Sequence, residues 1–497
     1  MTAPTQVSLP LKTAPRGPGP GHKAPGGPAA FHADAARRAL AEARPACFWL
    51  DRALRPEALE ALQGDTEADL AIVGGGFTGL WAALLALEEN PGRDVLLLEA
   101  SRIGEGASGR NGGFADPSLT HGVLNGLEHF PEEIETLEGL GRSNFAELLA
   151  ALERHGIDAR YEASGKLEVA VGEAWLPELR EYQETLQRFG ESSEWLDRDA
   201  VRGEVHSPTY EGGVFHPGGG GVLDPARLCW GLAATVRGLG ARIHEGTPVT
   251  KLRSEGERVA LATPGGRVRA RKVLFATNAF RAPLFRMRRA VIPVWDYVLM
   301  SEPLGTEQRR AIGWERRQGI GDTTNQFHYY RLTDDDRILW GGYDAIYYYG
   351  SSTESRRQQY APTFEKLAEH FFETFPQLEG LRFSHCWGGP IGTTTRFCLD
   401  SGSAMGGRVS WSIGYTGMGV GASRFGARIA LQRLDHPDDP LLRVRLARSR
   451  AFPWPPEPLR WLVVQLTRHE LARADRNGGR RGPWLRLLDA LGLGFDS

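Results

Sequence analysis

Asp69-Leu70-Ala71-Ile72-Val73-Gly74-Gly75-Gly76-Phe77-Thr78-Gly79-Leu80, followed by Val95-Leu96-Leu97-Leu98-Glu99, decides how the rest of this chain is read. An apolar run enters a triple glycine, an apolar helix leaves it, and an acid stands about 20 positions past the last glycine, the order a dinucleotide-binding βαβ unit requires. Ala71-Ile72-Val73 reads as a buried parallel strand, because apolar residues fill both of its faces. Gly74 allows the tight turn, Gly76 lets the backbone approach a pyrophosphate, and Gly79 lets the helix lie close on the strand. The helix expected over 78–87 then aims its amino end, with unpaired N–H groups and partial positive charge, at that pyrophosphate. Glu99 ends the second strand, expected over 94–98, and can accept hydrogen bonds from both hydroxyls of an adenosine ribose. A carboxylate there repels a 2′-phosphate, which makes NADP a poor fit.

The next segment discriminates among dinucleotides. Ser101-Arg102-Ile103-Gly104-Glu105-Gly106-Ala107-Ser108-Gly109-Arg110-Asn111-Gly112-Gly113 is a second glycine-rich loop directly after the ribose acid. An NAD dehydrogenase would normally run into a crossover helix here, whereas a flavin enzyme needs small residues and amide donors along its extended cofactor. The combination GGGFTGL, LLLEASRIG and GASGRNGG resembles the FAD-dependent amine and amino-acid oxidase superfamily, which includes D-amino-acid, glycine and sarcosine oxidases, and in these loops it comes nearest to γ-glutamylputrescine oxidase-like members. The resemblance spans roughly residues 48–435. It implies an α/β fold in which an FAD-binding Rossmann-like domain is interleaved with an α+β substrate domain built on a mainly antiparallel sheet.

Bulk properties agree with an enzyme of this kind. At 497 residues the chain exceeds what one hydrophobic core usually serves, so two domains are expected. Lys and Arg number 59 against 61 Asp and Glu, and this balance does not mark a polyanion binder. Cys47, Cys229, Cys386 and Cys398 are scattered without a C-x-x-C pair, which disfavours a disulfide framework or a zinc knuckle and points to a reducing, cytoplasmic setting. No apolar run is long enough to span a membrane, and no metal site is expected; His469-Glu470 lacks the second histidine of a metalloprotease helix, since position 473 is arginine.

Taken in order, residues 1–30 read as a Pro/Gly-rich disordered leader, and a helix is expected from Asp34 until Pro45 stops it. The FAD-binding domain is expected to be discontinuous, over 31–120, 208–290 and 383–435, with the substrate domain over 121–207 and 291–382 and an Arg-rich helical extension over 436–497. Asp224-Pro225 has the form of an N-cap followed by proline at the first helical position. In the resembled family the strand that carries Val249 reaches the adenine, and the strand ending in Thr277-Asn278 returns beneath the cofactor, with asparagine here in place of the commoner glycine. Asn tolerates the left-handed conformation better than most residues, so this departure is mild. Gly414-Tyr415-Thr416-Gly417-Met418-Gly419 turns a strand into a helix over 422–434, and the family closes its flavin site with such a loop. The physical reason is that reduction places negative charge on the N1–C2=O edge of the ring, which a helix amino terminus stabilises.

The cofactor contacts implied are therefore Gly74, Gly76, Phe77, Thr78, Gly79, Glu99, Ala100, Arg102, Ala107, Ser108, Arg110, Asn111, Gly112, Val249, Thr277, Asn278, Gly414, Tyr415, Gly417, Met418 and Gly419. Aromatic residues crowd 295–349, as both sheet packing and an aromatic wall for an amine would require. Tyr329, Trp340 and Trp387 are the substrate-facing candidates. In relatives such as sarcosine oxidase a cysteine near Cys386 is bonded to the flavin, but a free buried thiol and non-covalent FAD are expected here. No catalytic residue is assigned, since no Ser/His/Asp or paired-carboxylate constellation stands out. The function implied is oxidation of the C–N bond of a small-molecule amine or amino acid by hydride transfer to flavin N5, with oxygen as the expected acceptor. The alternatives are a flavin-binding redox or assembly partner without amine oxidation and a hydroxylating flavoenzyme fed by NAD(P)H. The arginines of the extension suit a subunit or partner contact rather than nucleic acid, because its apolar positions have the pattern of docking faces.

Overall fold

The computed structural model describes residues 29–492, so the expected leader lies almost wholly outside the described residues. Thr66–Val73 is a strand, Phe77–Glu89 a helix buried on nearly every side, and Val95–Leu98 a second, fully buried strand. The first strand runs parallel to Val95–Leu98 on one side and to Gly266–Phe275 on the other. Val409–Ile413 and Arg242–His244 extend the parallel array at its two ends. Alternate residues of the first strand enter different cores: Leu70 and Ile72 pack under the helices, while Ala71 and Val73 pack under the antiparallel strands Lys251–Glu255 and Arg258–Thr263. Burial on both faces is why the strand sequence is continuously apolar rather than alternating.

A second sheet has the strand order Phe383–Thr393, Ile292–Ser301, Ile338–Gly342, His328–Leu332, Gly319–Asp322, Lys166–Val171, Tyr210–His216, Glu194–Leu196. It is antiparallel except where Gly319–Asp322 runs beside Lys166–Val171. Its two faces separate cleanly along Ile292–Ser301. Trp295, Tyr297 and Leu299 join a core with Phe364, Leu367 and Phe371 of the helix Ala361–Thr374, whereas Val298 and Met300 join the core shared with the first sheet. One face is thus covered by helix, and the other is turned toward the glycine-rich loops.

Several expectations move. Tyr210–His216 and Phe383–Thr393 belong to the second sheet, so the boundaries at 208 and 383 do not follow the sheets; the chain rejoins the first sheet at Asp400–Ala404. Within Phe383–Thr393 glycine makes room for a cross-strand ring: a Cβ on Gly388 would stand 2.7 Å from Tyr297 Cε1. The first helix is Ala29–Leu40 rather than one beginning at Asp34. Val249 lies just ahead of the strand Lys251–Glu255. In the extension, helices Leu459–Arg476 and Pro483–Ala490 form, and the extension docks on its own chain. Asp475 accepts hydrogen bonds from the Asn325 and Gln326 amides at 3.0 and 2.9 Å, and Arg468 pairs with Asp344 at 2.6 Å. Its outer face leaves Leu459, Leu462 and Leu466 exposed. No described helix is long and apolar enough to cross a membrane.

Candidate active site

The glycine turn sits where three chain segments converge. Gly74 adopts φ +114°, and a Cβ there would stand 2.6 Å from the Ala276 carbonyl oxygen at the end of the neighbouring strand. At Gly79 a Cβ would lie 2.0 Å from the Gly74 carbonyl, so only glycine lets the helix start this close to the strand. The N-cap is Gly76, which brings no side-chain oxygen to the first-turn amides. Ser108 of the second loop accepts the Phe77 N–H at 2.9 Å, which ties that loop to the helix start.

Glu99 closes the same turn from the second strand. Its Oε2 accepts the Gly75 N–H at 2.6 Å and its Oε1 the Ser101 N–H at 2.8 Å. Burial, reinforced by Glu245 and Glu105, raises its carboxyl above the usual carboxylate range even though these two amides oppose the rise. Glu245 accepts the Leu59 and Ile103 amides, each at 2.6 Å, and pairs with Arg102 at 3.1 Å. Arg102 is therefore engaged with Glu245, Ala100 is exposed beside Glu99, and the chain running toward Val249 donates from the Thr247 amide to the Glu99 carbonyl at 2.8 Å.

Within the second loop the polar side chains build the loop itself. Asn111 Nδ2 donates to the Ala107 and Ser108 carbonyls at 3.0 and 2.8 Å, and its Oδ1 accepts the Gly113 N–H at 2.8 Å. Buried Arg110 pairs with Glu105 at 2.5 Å and reaches Gln358 at 3.0 Å. Two indoles brace the same backbone, Trp49 donating to the Asn111 carbonyl and Trp387 to the Arg110 carbonyl, each at 3.0 Å. Gly112 is left beneath Tyr329, and a Cβ on it would stand 2.8 Å from that ring.

The far end is assembled from late sequence. Asn278 takes the left-handed conformation, φ +43°, and its Oδ1 accepts the Gly414 N–H at 2.8 Å. Thr78 Oγ and Ser412 Oγ each lie 2.9 Å from the Tyr415 hydroxyl, so Thr78 and Tyr415 are buried partners that join the two helix starts. The helix Gly419–Asp435 begins after Met418, again without a side-chain cap, and Gly417 is exposed just before it. Replacing Tyr415 by phenylalanine leaves the Thr78 and Ser412 hydroxyls without this partner. The expected result is a stability loss of about 1–3 kcal/mol, measured by denaturant unfolding, with weaker flavin retention.

This arrangement fits FAD. The N-cap residues of the two helices, Gly76 and Met418, give no side-chain cap bond of their own, an acid ends the second strand, and two polar atoms at the loops, Thr277 Oγ1 and His121 Nδ1, are buried without a hydrogen-bond partner. His121, which sequence reading did not single out, lies 3.9 Å from the Cβ position of Gly417, and burial pushes its imidazole down to about 4. It is thus neutral at physiological pH.

On the second sheet one register row crosses the face above these loops: Trp387, Val298, Gly341, Tyr329, Gly321 and Glu168 are successive cross-strand partners. Directly paired residues share a face. Tyr329 donates to Asp296, whose carboxyl burial pushes up to about 6. Trp387 shares this face but is fully buried as a brace for the Arg110 carbonyl, so substrate contact is not its placement. Trp340 is on the helix-covered face, packed at 4.5 Å from Tyr330 and 5.6 Å from Phe371, and is a core residue. Alternation along the strand explains both outcomes, since neighbouring positions point to opposite faces. Cys386 belongs to the helix-covered core as well, which leaves its thiol on the wrong face for a flavin link. Asp296 was missed, although an acid in the apolar run Val294-Trp295-Asp296-Tyr297-Val298 was the available signal.

Known proteins bear on this geometry. The family described as FAD dependent oxidoreductase matches residues 69–433. Gamma-glutamylputrescine oxidoreductase of Escherichia coli (strain K12) is 31% identical over 383 residues, covering 76% of this chain and 85% of that protein. Glycine oxidase of Bacillus subtilis (strain 168) is 26% identical over 238 residues, covering 46% of this chain and 59% of that protein. The crystal structure of glycine oxidase from Geobacillus kaustophilus superimposes with a TM-score of 0.66 at 20% identity, covering 78% of this chain and 99% of that one, which shows the shared fold. With the glycine turn and the acid at the end of the second strand in place, the chain belongs to the FAD-dependent oxidoreductase family and is a flavin-dependent oxidoreductase.

Proposed function

We propose that this protein oxidises the C–N bond of a small-molecule amine or amino acid to an imine, with oxygen as the terminal acceptor. The observation that supports it most is the position of Tyr329, which lies over Gly112 of the cofactor loop and is tied to Asp296 on the face of the second sheet turned to that loop. When bound, FAD supplies a hydride acceptor at N5. Everything else is positioning. The Asp296 carboxylate fixes the Tyr329 hydroxyl, and the ring leans over Gly341, where a Cβ would stand 2.6 Å from its Cζ. The amino end of the helix Gly419–Asp435 would favour negative charge accumulating at the cofactor's pyrimidine edge, a role that needs no lysine. No strong base is required of the chain, because a neutral amine already carries the lone pair that forms the imine.

The relatives named for γ-glutamylputrescine and glycine oxidation support an amine nitrogen as the reacting group. The four cysteines are free and buried, which supports a reducing, cytoplasmic setting. Incubation in air with a panel of primary and secondary amines is the test. The expected result is oxygen uptake with a matching yield of aldehyde or 2-oxo acid; absence of any carbonyl product, in air and with an artificial electron acceptor, would overturn the proposal.

A further inference from the structure

We propose that the surface formed by the helix Phe285–Ala290 and the segment at Phe452 docks on an anionic phospholipid bilayer, with the phenylalanines entering its interface and the arginines beside them meeting lipid phosphates.

The run Phe280-Arg281-Ala282-Pro283-Leu284-Phe285-Arg286-Met287-Arg288-Arg289-Ala290 carries four arginines and no acid. Folding takes Ala282, Met287 and Ala290 into the core under the first sheet, so the phenylalanines and arginines are left for the outside. Phe285 is 64% exposed and Phe280 43%, and Arg281 and Arg286 are exposed as well. The guanidinium groups of Arg288 and Arg289 stand 5.7 and 6.0 Å from the centre of the Phe285 ring. A second segment joins them: the Trp454 N–H donates to the Arg289 carbonyl at 2.8 Å, which anchors Phe452-Pro453-Trp454 against the end of this helix. Trp454 is buried, whereas Phe452 is 65% exposed.

Charge names the occupant. Among the described residues, Arg281, Arg286, Arg288 and Arg289 form no ion pair, and Arg288 Nε is buried without a hydrogen-bond partner. Elsewhere surface arginines are matched, as Arg198 is to Glu211, Arg242 to Asp94 and Arg382 to Glu302. The first acid after Phe452, Glu457, is spent on the Gly350 and Trp461 amides at 3.0 and 3.1 Å. The whole chain has a net charge of -2, so this positive cluster is local. A two-fold contact with a second copy would set like charge against like. Nucleic acid would meet the arginines but gains nothing from the aliphatic side chains that follow Phe452, where Leu459 and Leu462 are exposed. Exposed Phe and Leu set among arginines is the composition of a bilayer-interface surface, and anionic lipid supplies the countercharge. Scattered exposed rings need no partner, but three phenylalanines beside four unmatched cations do. The surface also borders the cofactor cradle: the Phe280 ring lies 3.0 Å from the Cβ position of Gly106, and Asn278, two residues earlier, holds the Gly414 amide. Docking therefore sets the rim of the cradle against the bilayer.

The test is co-sedimentation of the FAD-loaded full chain with vesicles of phosphatidylcholine alone and of an equal mixture of phosphatidylcholine and phosphatidylglycerol. The mixed vesicles are expected to bind at least about tenfold more tightly, and high salt to release the protein. Reversing two charges in Arg286→Glu/Arg289→Glu is expected to weaken binding by about a hundredfold, while Arg286→Lys/Arg289→Lys retains it. Phe285→Ser is expected to weaken it by about tenfold. Flavin absorbance and far-ultraviolet circular dichroism confirm that each variant is folded. Failure to bind the mixed vesicles, equal binding to phosphatidylcholine alone, or unchanged binding in the charge-reversed variant would each overturn the assignment. Retention of single-stranded DNA or polyglutamate by a protein that leaves the mixed vesicles unbound would overturn it in favour of a different partner.

Discussion

Gly79→Ala is expected to give a folded, colourless protein. The added methyl would lie 2.0 Å from the Gly74 carbonyl oxygen, against an ordinary contact distance of about 3.5 Å, so the helix start must move away from the strand. The obstacle is backbone on both sides and has no rotamer by which to yield. Overpacking of this kind costs about 1–3 kcal/mol, which a chain with buried strands on both sides of the turn can survive. Flavin retention cannot survive it, because the amides that must face the pyrophosphate move with the helix. Flavin absorbance per chain after desalting reads the result, with far-ultraviolet circular dichroism as the control for folding. A variant that retains one flavin per chain would show that the close approach at Gly79 is not required for binding.

Glu99→Ala is expected to weaken FAD binding by about a hundredfold, the scale of two charge-assisted hydrogen bonds lost to the ribose. Its side chain is held by the Gly75 and Ser101 amides, so the site is preorganised before any nucleotide arrives. The sign of the pH effect follows from its raised carboxyl. The folded protein holds this proton more readily than the unfolded chain, so the group's contribution to folding is present below its raised range and is lost as pH rises through it. Ribose hydroxyls donate to the ionised form, so FAD binding should tighten over the same rise. In Glu99→Gln, which cannot titrate, that portion of the pH dependence should vanish, and equilibrium fluorescence titration of FAD at several pH values checks it.

The strand, glycine turn and helix at the start of the first sheet were legible because each of their constraints is local. Gly74 through Gly79 sit in one turn, and Glu99 follows at the length of one helix and one strand. The late loop was legible for the same reason, as Gly414 to Gly419 end a strand and start a helix. Polar groups within the loops were harder to read. Arg110 and Asn111, expected to contact cofactor, spend their side chains on Glu105, Gln358 and loop carbonyls, and only folding brings those partners within reach. Substrate-facing residues were the least accessible. Trp340 and Tyr329 are both aromatic residues in paired strands, and strand register alone decides that one faces the helix and the other the cofactor loop. The boundary near 383 was not legible either, because only folding shows that Phe383–Thr393 pairs with Ile292–Ser301 in the second sheet.

The measurement that bears most directly on an FAD cradle serving amine oxidation is the flavin spectrum on anaerobic addition of a substrate amine. Loss of the visible flavin band with a primary or secondary amine, and its return on admission of air, is the expected result. A protein that purifies with flavin but keeps its band across a broad amine panel, and loses it on addition of NADPH alone, would contradict the assignment.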